Sequence, residues 1–176
     1  MAMGPMRRKD REIVDPAEIG KIMGASQVGR LGLSMNDQPY VVPVNFAFDR
    51  DRIYLHCADT GMKLDFLRTN PRVCFEVDES LGVIPGPLPW LYGFAYRSVI
   101  AFGTARILTD PEERTNATKL ITAKYAGKEM ADMVTKKLTE EYRSALGSRL
   151  VLVEIKVESI TGKHRETSGT NQAPPA

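Results

Sequence analysis

Period-two alternation of apolar and polar residues dominates this chain and predicts strands in six places. Residues 28–34 set Gly29, Leu31 and Leu33 against Val28, Arg30 and Gly32. A turn at 35–39 leads into a second strand at 40–48, and the polar tip Asp49-Arg50-Asp51 leads into a third at 52–57. Residues 72–77 place Val73, Phe75 and Val77 on one face, and 94–108 read as a long strand bent near Gly103. Residues 149–160 close the series, with Val151, Val153, Ile155 and Val157 on one face. Helical signals interrupt the strands at three points. Asp15-Pro16-Ala17-Glu18 combines an N-cap aspartate, a first-turn proline and a capping-box glutamate ahead of Ile19, Ile22 and Met23. A short helix at 62–69 stops at Asn70-Pro71, and Asp110-Pro111-Glu112-Glu113 opens one or two helices reaching about Leu146.

The remaining segments lack a period. Residues 81–91 hold Pro85, Pro87 and Pro89, so a long exposed loop of the lid type is expected there. Residues 1–14 read as an N-terminal arm and 162–176 as a flexible polar tail, leaving 15–161 as the folded domain. Six strands in mostly antiparallel succession, with one helix between strands and others at the ends, predict a mainly β fold. The expected form is a six-stranded antiparallel β-barrel with peripheral helices.

Composition narrows the function. The 176 residues are 43% hydrophobic and 26% charged, with a net charge of +2 and both signs interleaved. That is ordinary for a globular domain and gives nucleic-acid binding no support. No apolar run approaches the roughly 20 residues of a membrane helix, and the first six residues are too short for a signal peptide. Cys57 and Cys74 both fall in apolar strand patterns, as buried thiols in a reducing cytoplasm do. The two histidines, His56 and His164, have no metal-ligand spacing around them, so no metal site is expected. Neither a dinucleotide glycine pattern nor a P-loop is present in the sequence.

The candidate chemistry lies at 56–73. A strand ends in a polar turn, and a helix opens with Gly61 and Lys63 beside its first turn. Free N–H groups at a helix start, with a lysine next to them, form an anion cradle suited to a phosphate-bearing ligand. Lys63 equally suits a solvated helix face. Asp59 and Thr60 compete for the N-cap, and Thr60 is a possible phosphate donor. Pro43 interrupts its strand's donor row, where a flat ligand can approach or where the strand is simply an edge. Asn45 shares the face of Pro43. His56 either contacts a ligand or is satisfied by backbone. Arg97 has a carboxylate partner as its plain alternative, and Trp90 and Tyr92 suit either core packing or a ligand shield.

Five segments together resemble a known family. They are Gln38-Pro39-Tyr40-Val41-Val42-Pro43-Val44, Ile53-Tyr54-Leu55-His56, Gly61-x-Lys63, Asn70-Pro71-Arg72-Val73, and Tyr96-Arg97-Ser98-Val99 leading to Gly103-x-Ala105-Arg106. In order and spacing the chain resembles the FMN-binding split-barrel superfamily of pyridoxamine-phosphate oxidases. Arg7-Arg8-Lys9-Asp10-Arg11-Glu12-Ile13, with Val28-Gly29-Arg30-Leu31, is most similar to its 5-nitroimidazole reductase, or antibiotic-resistance, branch.

The resemblance implies a homodimer with FMN at the subunit interface, a small-molecule substrate, and reduction of a small aromatic or nitro-type acceptor. It also implies that Val42, Pro43, Val44 and Asn45 lie along the flavin ring and that His56 and Cys57 contact the flavin and its phosphate tail. Met62 and Lys63 match the family's phosphate-holding Arg-Lys pair, of which only the lysine is kept. Ser98 falls where the oxidases carry a glutamine on the flavin, with Arg97 beside it. The oxidases' C-terminal substrate arginine and histidine have no counterpart, so vitamin B6 oxidation is not implied. A non-catalytic flavin-binding or stress module, and a haem-binding split barrel using His164, are the competing classes.

Overall fold

A computed structural model describes residues 6–166. Its eight strands are β1 (Glu12–Ile13), β2 (Gly29–Met35), β3 (Gln38–Val44), β4 (Phe46–Asp49), β5 (Arg52–Ala58), β6 (Arg72–Ile84), β7 (Gly93–Ile107) and β8 (Leu150–Arg165). Five helices accompany them: α1 (Pro16–Ala25), α2 (Met62–Thr69), α3 (Pro111–Ala126), α4 (Lys128–Asp132) and α5 (Lys136–Glu141). The strands form one antiparallel sheet in the order β3-β2-β6-β7-β8-β5-β4, with β1 added to β8.

The two ends of that order, β3 and β4, are neighbours in the chain, separated by Asn45 alone. A sheet whose outermost strands are joined by one residue must curl to bring that end of its two edges together. No ladder joins β3 to β4 among the described residues, so the result is a barrel split along one line. The sequence expectation of a single strand at 40–48 is corrected here. Its alternation is nearly continuous, but the first half pairs with β2 and the second with β5. With the short β1, that split raises the strand number from six to eight.

Inside the barrel, Leu31, Phe46, Ile53, Leu55, Phe75 and Val77 are essentially inaccessible, each contributing about 1.5–3 kcal/mol by burial. Asp15 Oδ1 accepts the Ala17 N–H at 2.9 Å, which starts α1 and directs Ile19, Ile22 and Met23 into this core. Leu64, Phe66 and Leu67 of α2 enter the same core. Asp110 Oδ1 caps α3 through the N–H groups of Glu112 and Glu113. Ala117 and Ile121 of α3 join Ala47, Leu108 and Leu152 in a second cluster. Buried Glu154 of β8 ties three strands together by accepting from Arg52 Nη1 at 2.7 Å and Arg106 Nε at 2.8 Å.

Three further expectations change. The ladder between β6 and β7 continues to Ile84 opposite Gly93, and Pro89–Leu91 form a 3-10 turn, so the proline segment is a hairpin arm instead of an open loop. β8 runs on to Arg165 because Lys163, His164 and Arg165 pair with Ser98, Arg97 and Tyr96. Part of the expected tail is therefore sheet, and its residues 167–176 lie outside the described ones. The stretch after Asp110 contains three helices. The bend near Gly103 does coincide with a register shift, where an added Cβ would sit 2.2 Å from the Lys156 carbonyl oxygen.

Candidate functional site

Fully buried Ile53 and Leu55 fix the facing of β5, so period two turns His56 outward and Cys57 toward the core. Three residues, Asp59 to Gly61, separate the end of β5 from the start of α2 at Met62. Its N-cap is Gly61, at φ +119°, a conformation that L side chains rarely adopt. Neither Asp59 nor Thr60 caps the helix, and among the described residues no side chain caps its first turn. The Leu64 N–H donates to the Gly61 carbonyl at 2.9 Å, and the Met62 and Lys63 N–H groups remain available to an anion.

Lys63, half-buried in that turn, acts on both residues at the end of β5. Burial and then the Lys63 charge hold the His56 imidazole below its ordinary pKa, leaving it neutral at pH 7. Burial pushes the Cys57 thiol up, opposed by the charges of Lys63 and Arg68. A cation, an uncapped helix start, a neutral imidazole and a protonated thiol thus share one end of the barrel. Such a region favours a multiply charged oxyanion. Thr60 and Met62 are exposed beside it.

The other nominated residues separate by face. Val42 and Val44 turn into the core, whereas Pro43 and Asn45 are exposed at the split, with Pro43 opposite Arg30 of β2. Arg30 Nη1 in turn bonds Glu76 Oε2 at 3.0 Å and Asp78 Oδ1 at 2.5 Å. Ser98 of β7 sits on the outward face between Asp78 and Lys163. Arg97 has the inward parity of Ala95 and Val99, and its Nε is buried with no hydrogen-bond partner among the described residues. Along β8, Ser98 is opposite Lys163 and His56 is opposite Leu152. Those eleven residues amount to roughly 35 Å of strand at about 3.3 Å per residue. One chain therefore brings Lys63, His56 and Cys57 together but leaves Arg97 and Ser98 remote from them.

Sequence reasoning missed a groove of about 850 Å³ on the outward face of the barrel. Gly32, Val41, Cys74, Phe102 and Ser159 line it, from five different strands. The available signal was a row of small residues at outward positions: Gly32, Cys74 and Ser159 fall near one level of the sheet.

The chain matches the Pyridoxamine 5'-phosphate oxidase family across residues 15–164. It belongs to that family. Among solved structures it is similar to a candidate 5-nitroimidazole antibiotic resistance protein from Bacteroides thetaiotaomicron. That likeness has 25% identity and a TM-score of 0.67, covering 87% of this chain and 86% of that one. A FAD-binding protein from Mesorhizobium loti is 28% identical with a TM-score of 0.58, covering 89% of this chain and 98% of that one. The flavocytochrome Anf3 from Azotobacter vinelandii, 18% identical, shares the fold with a TM-score of 0.73, over 92% of this chain and 72% of that one. A curated relative, an uncharacterized protein of Rhizobium meliloti (strain 1021), is 31% identical over 67 residues. The match spans 38% of this chain and 44% of that protein's length. Among the described residues, no helix of this family member is long and apolar enough to cross a membrane.

Proposed function

We propose that this family member is an FMN-dependent oxidoreductase that acts as a homodimer and reduces small aromatic or nitro-type acceptors. The observation that carries the reading is the grouping of Lys63, His56 and the uncapped start of α2 at the barrel end. Family membership and the likeness to nitroimidazole-resistance and FAD-binding proteins support it.

The residues present fit a flavin mononucleotide. The Lys63 side chain, the Met62 and Lys63 N–H groups and the Thr60 hydroxyl hold a phosphate monoester, with nothing within 4 Å of the space where a Gly61 side chain would stand. Pro43 and Asn45 offer an exposed edge at the split, and His56 stays neutral, able to donate one hydrogen bond and accept another. When bound, FMN supplies the hydride and electron chemistry. The protein binds and orients.

Titration of the protein with FMN and with FAD, followed by absorbance, tests the assignment. FMN is expected to bind more tightly than FAD. Lys63→Ala is expected to weaken FMN by about 10- to 150-fold, the scale of a charge-assisted contact of about 1.5–3 kcal/mol. The reduced holoprotein is expected to be reoxidised by a nitroimidazole faster than free reduced FMN. An unchanged Lys63→Ala titration would refute the phosphate assignment. A Soret band in place of flavin absorbance would overturn the cofactor.

A further inference from the structure

The ends of β6 and β7 form an arm that exposes several large apolar side chains. Val83, Leu88, Trp90, Tyr92 and Phe94 are between 43% and 77% exposed, Trp90 the most. A β-bulge decides which way they point. The register shifts between Ser80 and Gly82, so Leu81 is an extra residue and Val83, not Gly82, comes opposite Phe94. Phe94 has the parity of Ser98 and Phe102, so the arm's apolar pair faces the same side as the groove.

The tip is already shaped. Gly86 lies against Leu91, where an added Cβ would be 2.6 Å from its carbonyl carbon. Pro85, Pro87 and Pro89 restrict the rest. Little conformational entropy is lost when such a tip docks.

Arm and groove cannot meet within one chain. Both belong to the continuous β6–β7 ladder, with Cys74 in the groove and Val83 on the arm about 26 Å apart at about 3.3 Å per residue. A two-fold axis parallel to that face and crossing the strands near the Asp78–Ser98 pair exchanges the two ends. Five side chains of this size, about half exposed, present roughly 500 Å² per arm, so two docked arms bury roughly 1,000 Å² of arm surface alone. That reaches the area a stable interface needs before the groove walls are counted.

We infer that two copies of this chain pair through reciprocal arm exchange, each arm tip closing the other copy's groove and placing Trp90 as a wall of the space there. This deepens the functional reading, on which it rests for the dimer and the flavin, by making Trp90 a selectivity residue supplied in trans for planar acceptors.

Trp90 is the sole tryptophan, so its fluorescence reports the contact directly. Emission of the full-length protein is expected to shift blue, and acrylamide quenching to fall several-fold, as concentration rises through the monomer–dimer transition seen by analytical ultracentrifugation. Trp90→Ala/Tyr92→Ala is expected to weaken the dimer by about a hundredfold while the monomer's urea unfolding midpoint stays unchanged. In Trp90→Cys/Cys57→Ser, a bismaleimide cross-link is expected between the thiol introduced at position 90 of one copy and the native Cys74 of the other. A monomer at all concentrations, or a dimer in which Trp90 stays fully quenchable and no cross-link forms, overturns the exchange. If such a dimer still binds FMN through Lys63, the flavin reading stands without it. If Trp90 is buried in the dimer but FMN does not bind, the arm exchange stands and the cofactor reading fails.

Discussion

Replacing Gly29 by alanine tests how tightly the barrel is closed next to the split. Gly29 pairs with Val44, the last residue of β3 before Asn45. A Cβ there would stand 2.0 Å from Phe75 Cζ and 2.7 and 2.8 Å from the flanking ring carbons. Ordinary carbon–carbon contacts lie at about 3.5–4.0 Å, so the ring must retreat by about 1.5 Å. It has nowhere to go. Phe75 is 1% exposed and packs edge-on against the fully buried Phe46, their centroids 4.8 Å apart at 65°. Overpacking of this kind costs about 1–3 kcal/mol, and the rigid neighbour puts Gly29→Ala at about 2–3. Phe75→Leu alone is expected to cost about 1–2 kcal/mol by loss of buried area. The double variant is expected to be no less stable than Phe75→Leu, because the smaller side chain vacates the clash. Equilibrium urea unfolding of the four proteins, fitted with a common m-value, gives the coupling. Costs that add to within about 0.5 kcal/mol would refute the steric account of why glycine stands in this strand.

Two pH-dependent effects follow from the same packing. Lys124 Nζ sits 3.5 Å above the Phe46 ring and donates to the Met23 carbonyl at 3.1 Å; desolvation lowers its pKa to about 8 from 10.5. Between pH 8 and 10.5 the unfolded chain carries the extra proton, so stability is expected to rise across that window. The rise should be about 1–2 kcal/mol once solvent screening of this half-exposed group is discounted, and Lys124→Met should flatten it in pH-resolved urea unfolding. His56, depressed by burial and by Lys63, contributes stability that is complete above its unfolded value of 6.5 and lost as pH falls through its folded value. Inorganic phosphate or FMN neutralises Lys63, so NMR titration is expected to show the His56 pKa rising when either is added; a fall or no change would separate His56 from the anion site.

What the linear order of residues settles by itself is whatever depends on near neighbours. Asp15 and Asp110 cap the helices they were expected to cap, because a side chain two or three residues from its partner N–H needs no tertiary context. Alternation assigned inner and outer faces in β2 and β6, and Lys63 was legible as a cation in the first turn of a short helix. The family was also legible, since five segments agree in order and spacing. Partners far away in the chain decided everything else. One apolar run became β3 and β4 because β2 and β5 claim its two halves. Gly162–Arg165, with no period of their own, are strand because β7 and β1 flank them. The inward turn of Val42 and Val44, the unpartnered Arg97 Nε and the outward groove are products of how the sheet curls. Local propensity and periodicity act over a few residues, whereas strand pairing, curvature and burial are set by contacts that exist only once the sheet has curled.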